Sequence, residues 1–126
     1  MDGARRAIEE AVLSWIGVTA HSHRFGGVEF RLGKVELGHL HGDRLADLPF
    51  PTKLRNQLLE EGRARPHHVL PSSGWVSRSI RDPADVDEVI ALFRLNYERV
   101  KARQKTSSSK PPPEPPVTQR GEVGTP

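Results

Sequence analysis

The spacing of apolar residues changes period several times along the chain, and each change marks an element. Ile8, Val12, Trp15 and Ile16 fall at i, i+4, i+7 and i+8, one apolar helix stripe, with Gly17 placed as its stop. From Gly27 to Leu32 apolar and charged residues alternate, the period of a half-buried strand. Gly33-Lys34 then forms a two-residue gap before Val35-Glu36-Leu37, which predicts a hairpin. Val18 to Phe25 reads as a preceding strand, turning at Gly26-Gly27. Strict alternation places Val35, Leu37, His39 and His41 on one face and Glu36, Gly38 and Leu40 on the other. With Val35 and Leu37 toward the core, His39 and His41 would continue that face and line the mouth of a cavity. The same counting puts His21 and His23 together on the preceding strand.

Leu48-Pro49-Phe50-Pro51 interrupts the strand pattern with two prolines. Thr52 to Glu61 reads as a short helix, with Leu54, Leu58 and Leu59 apolar and Gly62 as its stop. His68-Val69-Leu70 reads as a strand, Pro71 to Gly74 as a turn, and Trp75 to Ile80 as another strand. Asp82-Pro83 opens the last helix, with Asp82 as N-cap and Asp85 three residues on. Val86, Val89, Ile90, Phe93, Tyr97 and Val100 keep helical spacing along it. The order α-β-β-β-α-β-β-α predicts an α+β fold: an antiparallel sheet of about four to five strands packed by helices. Residues 1–104 form one domain. Residues 105–126, rich in proline and serine without apolar period, are expected to be a disordered tail.

Charge narrows the partners. Residues 1–100 are balanced, and the net +3 belongs to residues 101–126. A basic face is the footprint of nucleic-acid binding, and the domain's charge supports none. There is no cysteine, which excludes disulfides, thiolate metal sites and a cysteine nucleophile. No apolar run is long enough to span a membrane, and Glu9 and Glu10 sit where a signal peptide needs apolar residues. A cytoplasmic protein with neither a nucleic-acid nor a membrane partner is the expectation.

Four of the six histidines lie in two clusters, His39-Leu40-His41 followed by Asp43-Arg44, and His67-His68 ahead of Trp75. Histidine titrates near physiological pH and is the commonest metal ligand. Gly33, five residues and His-x-His match half of the metal-binding cupin signature. The remainder is missing: Asp43 stands too close, Asp47 slightly too far, and no second half follows. His67 or His68 would complete a three-histidine site. The expectation drawn here is nonetheless no metal and no cofactor, with the histidines bonded to one another, to Asp43 and to backbone beside a pocket. His39, His41, Asp43 and His68 are the candidate proton-transfer residues. Arg44, Phe50, His67 and Trp75 are the candidate ligand contacts. No serine sits in a Gly-x-Ser-x-Gly elbow, and Gly26-Gly27 does not lead into a helix as a phosphate loop does.

Several runs together resemble the luciferase-domain family. They are Phe25-Gly26-Gly27-Val28-Glu29-Phe30, Glu36-Leu37-Gly38-His39-Leu40-His41-Gly42, Asp47-Leu48-Pro49-Phe50-Pro51, and His67-His68-Val69-Leu70-Pro71 continuing into Ser73-Gly74-Trp75-Val76-Ser77. The resemblance covers residues 5 to about 100. It implies small bacterial proteins, mostly uncharacterised, that share a domain with fungal luciferases. In those enzymes the domain is thought to oxidise a hydroxypyrone with molecular oxygen and no separate organic cofactor. Two readings follow: a small-molecule pocket doing proton-transfer or oxygenase-like chemistry on an acidic aromatic or enolic ligand, or a non-catalytic ligand- or protein-binding module whose histidines are structural.

Overall fold

The fold is that of a computed structural model, which describes residues 2–23, 26–69 and 72–109, with side chains as far as Gln104. Among the described residues nine elements follow one another: α1 (Ala4–Leu13), β1 (Val18–His23), β2 (Gly27–Leu32), β3 (Val35–His41), β4 (Leu45–Pro49), α2 (Thr52–Glu60), β5 (Arg65–Pro66), β6 (Trp75–Ser79) and α3 (Pro83–Ser109). The six strands form one antiparallel sheet in the order β1-β2-β3-β4-β6-β5. The protein is thus α+β, as its pattern of elements predicts, with one strand more than expected.

The core lies between the sheet and the α1–α3 pair. Val28, Phe30 and Leu32 of β2, Leu40 of β3, Leu48 of β4 and Val76 of β6 are buried together with Ile8, Val12, Val89, Leu92, Phe93 and Tyr97. Phe30 and Phe93 meet edge to face with ring centroids 5.3 Å apart. Asp82 caps α3 as its sequence position predicts, its Oδ1 accepting the Asp85 N–H at 2.9 Å.

Three expectations need correction. The α1 stripe ends early: the helix stops at Leu13, where the Ser14 hydroxyl donates to Ala11 O, and Ile16, no longer in helical phase, is 85% exposed. Trp15 instead lies half-buried against Tyr97, ring centroids 5.4 Å apart. The segment before Pro49 is a strand, β4, because proline is tolerated at a strand end. The strand after α2 is Arg65–Pro66, at the sheet edge, and His67 and His68 leave the sheet as a loop; Leu70 and Pro71 lie outside the described residues. Helix α3 itself runs to Ser109. Residues 110–126 lie outside the described residues, as do Arg24 and Phe25 of the expected first strand.

The correction that matters for function is in β3. Its pairing with β2 shifts between Phe30 and Arg31: Arg31 pairs with Glu36, but Phe30 pairs with Gly38. Leu37 is the extra residue of a β-bulge, and the bulge reverses the alternation. Leu37 and Leu40 both go to the core, while Glu36, His39 and His41 share the opposite face. The histidines therefore do not continue the Leu37 face. Two features hold the bulge. Gly38, at φ +150°, has no side chain to strike Asp47 O and the Phe93 ring, and the fully buried Asn96 amide donates to Leu37 O at 2.9 Å.

Candidate functional site

Strand pairing lines up a row of polar residues across the whole sheet. His21 is opposite Glu29, Glu29 opposite His39, His39 opposite Asp47, Asp47 opposite Ser77, and Ser77 opposite Arg65. Directly paired residues point to the same face. The row thus occupies the face turned away from α1 and α3, and β4 puts an aspartate at its centre.

Asp47 is fully buried, and both histidine clusters converge on it. Its Oδ1 accepts the Ser77 hydroxyl at 2.6 Å. Four imidazole Nε2 atoms surround its Oδ2: His41 at 2.8 Å, His39 at 3.3 Å, His67 at 3.3 Å and His68 at 3.4 Å. Two come from β3 on one side and two from the loop after β5 on the other. The bulge delivers the first pair, and the end of β5 at Pro66 delivers the second. Trp75, opposite Pro49, closes one flank, its ring centroid 5.2 Å from that of His39.

Outer contacts extend the network. His39 Nδ1 lies 2.8 Å from a Glu36 oxygen, and the His23 ring stacks on His39 with centroids 4.0 Å apart. His23 in turn meets Glu29 at 3.1 Å, and Glu29 is also held by Arg31. His67 and His68 stack on each other at 4.3 Å, and the Val69 N–H donates to His67 Nδ1 at 3.0 Å. That bond fixes the His67 proton on Nε2, facing Asp47.

The electrostatics follow from this geometry. Burial opposes a charge on His39, but the Asp47 and Glu36 carboxylates outweigh it and push its pKa up to about 9. With both ring nitrogens facing carboxylates, His39 is an imidazolium at neutral pH. Burial would raise Asp47, yet the hydrogen bonds from His39, Ser77 and His41 hold it well below the usual carboxylate range. His67 moves the other way. Burial lowers its pKa, and the adjacent His68 adds to that against the pull of Asp47.

The structure thus brings together His39, His41, His67, His68 and Trp75 of the residues singled out from sequence, and leaves three elsewhere. Asp43 turns toward α1, where its Oδ1 accepts the Arg5 N–H at 2.9 Å. Arg44 is exposed on the β3–β4 turn. Phe50 is a core residue, not a wall of the site. Missed from sequence were Asp47, Glu36, His23 and Ser77. Asp47 did carry a signal: an aspartate amid Leu45, Ala46 and Leu48, eight residues after His39, is where a tight hairpin at Gly42-Asp43 would place a cross-strand partner.

Residues 34–96, half of the chain, match the Luciferase domain family. The chain belongs to that family. The match begins just before β3 and ends in α3, so it contains the bulge, Asp47, both histidine clusters and Trp75. No curated protein and no solved structure matches the chain. Among the described residues of this luciferase-domain protein, no helix is long and apolar enough to cross a membrane.

Proposed function

We propose that this luciferase-domain protein binds a planar, weakly acidic organic molecule on the Asp47-centred face and takes up its proton there. The observation that carries the reading is the convergence of four imidazole nitrogens on one buried carboxylate oxygen. A purely structural aspartate needs two or three donors, not four rings presented from two separate elements. His68, half-exposed at the rim, would accept the proton of an enol or phenol. His41, part-exposed, would hold the resulting oxygen anion by N–H donation, and the His39 imidazolium, its two N–H groups given to Glu36 and Asp47, would add its positive charge. Trp75 would supply the apolar surface for a flat ring. Oxygenation of such an anion is what the resemblance to the fungal enzymes implies.

A competing reading makes the cluster structural, and His39 favours it in part, being buried and fully partnered. The two separate in a thermal-shift screen of phenolic and enolic acids against wild type, His68→Gln and His21→Gln. A ligand that stabilises wild type and His21→Gln but not His68→Gln supports the binding site. No hit for wild type, with His68→Gln itself destabilised by about 1–3 kcal/mol, would establish the structural role instead.

A further inference from the structure

We infer that Nε2 of His39, Nε2 of His41 and Oδ2 of Asp47 form a binding site for one divalent first-row transition-metal ion. The inference concerns the face assigned above but does not rest on its organic ligand.

Nitrogen is in surplus around the Asp47 carboxylate. A carboxylate oxygen offers about two lone-pair directions, and the other oxygen of Asp47 already serves Ser77. Four Nε2 atoms within 3.4 Å of Oδ2 cannot all donate to it. The proton positions sort them. His67 has its Nδ1 occupied by the Val69 N–H, so its Nε2 carries a proton and donates to Asp47. A metal ion would displace the Nε2 proton of the His39 imidazolium to solvent, while Nδ1, held against Glu36, keeps its proton and Nε2 turns the freed lone pair inward. That carboxylate–imidazole arrangement is the usual outer support of a metal-bound histidine. His67 and Ser77 would steady the aspartate in the same way.

The distances agree. For bonds of about 2.0–2.1 Å, neighbouring ligand atoms stand about 2.9 Å apart at right angles and about 3.4 Å apart in a tetrahedron. Oδ2 lies 2.8 Å from His41 Nε2 and 3.3 Å from His39 Nε2, and these three atoms all fall within 4.8 Å of one another. Two other close sets exist among the described residues, His23-Glu36-His39 and Asp47-His67-His68. The second needs the Nε2 lone pair that His67 lacks. In the first, Glu36 is already the partner of His39 Nδ1 and Glu29 that of His23 Nδ1. Two imidazoles and one carboxylate with open positions are the donor set of non-haem iron sites, and also suit manganese, cobalt and zinc. The expectation of no metal came from the missing second half of a linear signature. Here the carboxylate comes instead from the next strand, by register.

The test uses full-length protein without a polyhistidine tag, stripped with EDTA and titrated with Co(II) alone. Visible d–d absorption and calorimetry should report one equivalent bound. In a Trp15→Phe background the paramagnetic ion should quench Trp75, beside His39. His41→Ala, at a part-exposed position whose fold is checked by circular dichroism, should weaken binding by at least about 100-fold. Glu36→Gln should weaken it by about 10- to 100-fold, and His21→Ala should leave it unchanged. No binding at millimolar Co(II), or equal binding by His41→Ala, overturns the inference. So does loss in His68→Ala with none in His41→Ala, which would move the ion to the loop side. No organic ligand is present, so failure here leaves the ligand-binding reading to its own screen.

Discussion

Replacing Gly38 with alanine tests whether the β3 bulge sets up the histidine face. The new Cβ would lie 2.7 Å from Asp47 O, 2.9 Å from Leu48 Cγ and 2.9 Å from Phe93 Cε1. One of these is backbone of the adjacent strand and another a packed ring, so neither moves cheaply. The backbone at φ +150° adds strain of about 1–3 kcal/mol for a residue with a side chain. Overpacking of the core adds about 1–3 kcal/mol. Together, Gly38→Ala should cost about 3–5 kcal/mol, a large share of a small domain's stability of about 5–15 kcal/mol. Gly26→Ala is the control. Its φ is +81°, but nothing lies within 4 Å of a Cβ there, so only about 1–2 kcal/mol is lost. Urea unfolding followed by circular dichroism measures both. At about 4–8 °C per kcal/mol, Gly38→Ala should melt at least about 12 °C below wild type. If it costs no more than Gly26→Ala, the bulge is not held by close packing and the account of β3 is wrong.

Three further outcomes are expected. Asn96→Ala removes the donor to Leu37 O inside the core and should cost about 1–3 kcal/mol by urea unfolding, since the carbonyl freed by the bulge is left unpartnered. Asp82→Ala should cost about 1 kcal/mol through loss of the α3 cap, while Asp82→Asn, which keeps the acceptor, should cost little. Asp85 is held below the usual carboxylate range, first by the hydrogen bond from Arg78 and then by the Arg81 N–H, against the opposing effect of burial. A carboxyl more acidic in the folded than in the unfolded chain stabilises above the unfolded pKa of about 3.9, and its contribution is lost as pH falls through the folded value. The acid limb of a stability–pH curve should therefore be shallower in Asp85→Asn than in wild type.

The parts of the fold legible in the sequence are those where one local signal dominates. The β2 alternation, the Gly33-Lys34 turn and the Asp82-Pro83 start of α3 each rest on neighbouring residues. β4 was hidden because Ala46, Asp47 and Leu48 are all buried, so a central strand facing the core on one side and the site on the other shows no alternation. The bulge was hidden because a single extra residue leaves no mark except Gly38, and its effect is global: every later side chain of β3 changes face. The histidine clusters were visible because they are contiguous. Their shared partner was not. Asp43 stood next to the histidines in the chain, whereas Asp47 stands next to them only through the β3–β4 register.

That register also explains how a buried carboxylate is tolerated at the centre of a sheet. Removing an isolated carboxylate from water costs far more than a small domain's stability, so Asp47 must be compensated on every side. Ser77 and His39 do this from β6 and β3, the strands that flank β4, and their positions are set by the sheet's own hydrogen bonds. His67 and His68 approach from a loop, beside a Val69 that is 67% exposed, and not from a strand whose position the sheet's hydrogen bonds set. The site therefore has one half built on strands and one half built on a loop. Strand positions hold ligand geometry more tightly than loop positions do. This division is why the metal is assigned to His39, His41 and Asp47, and why proton uptake is assigned to His68 at the open side.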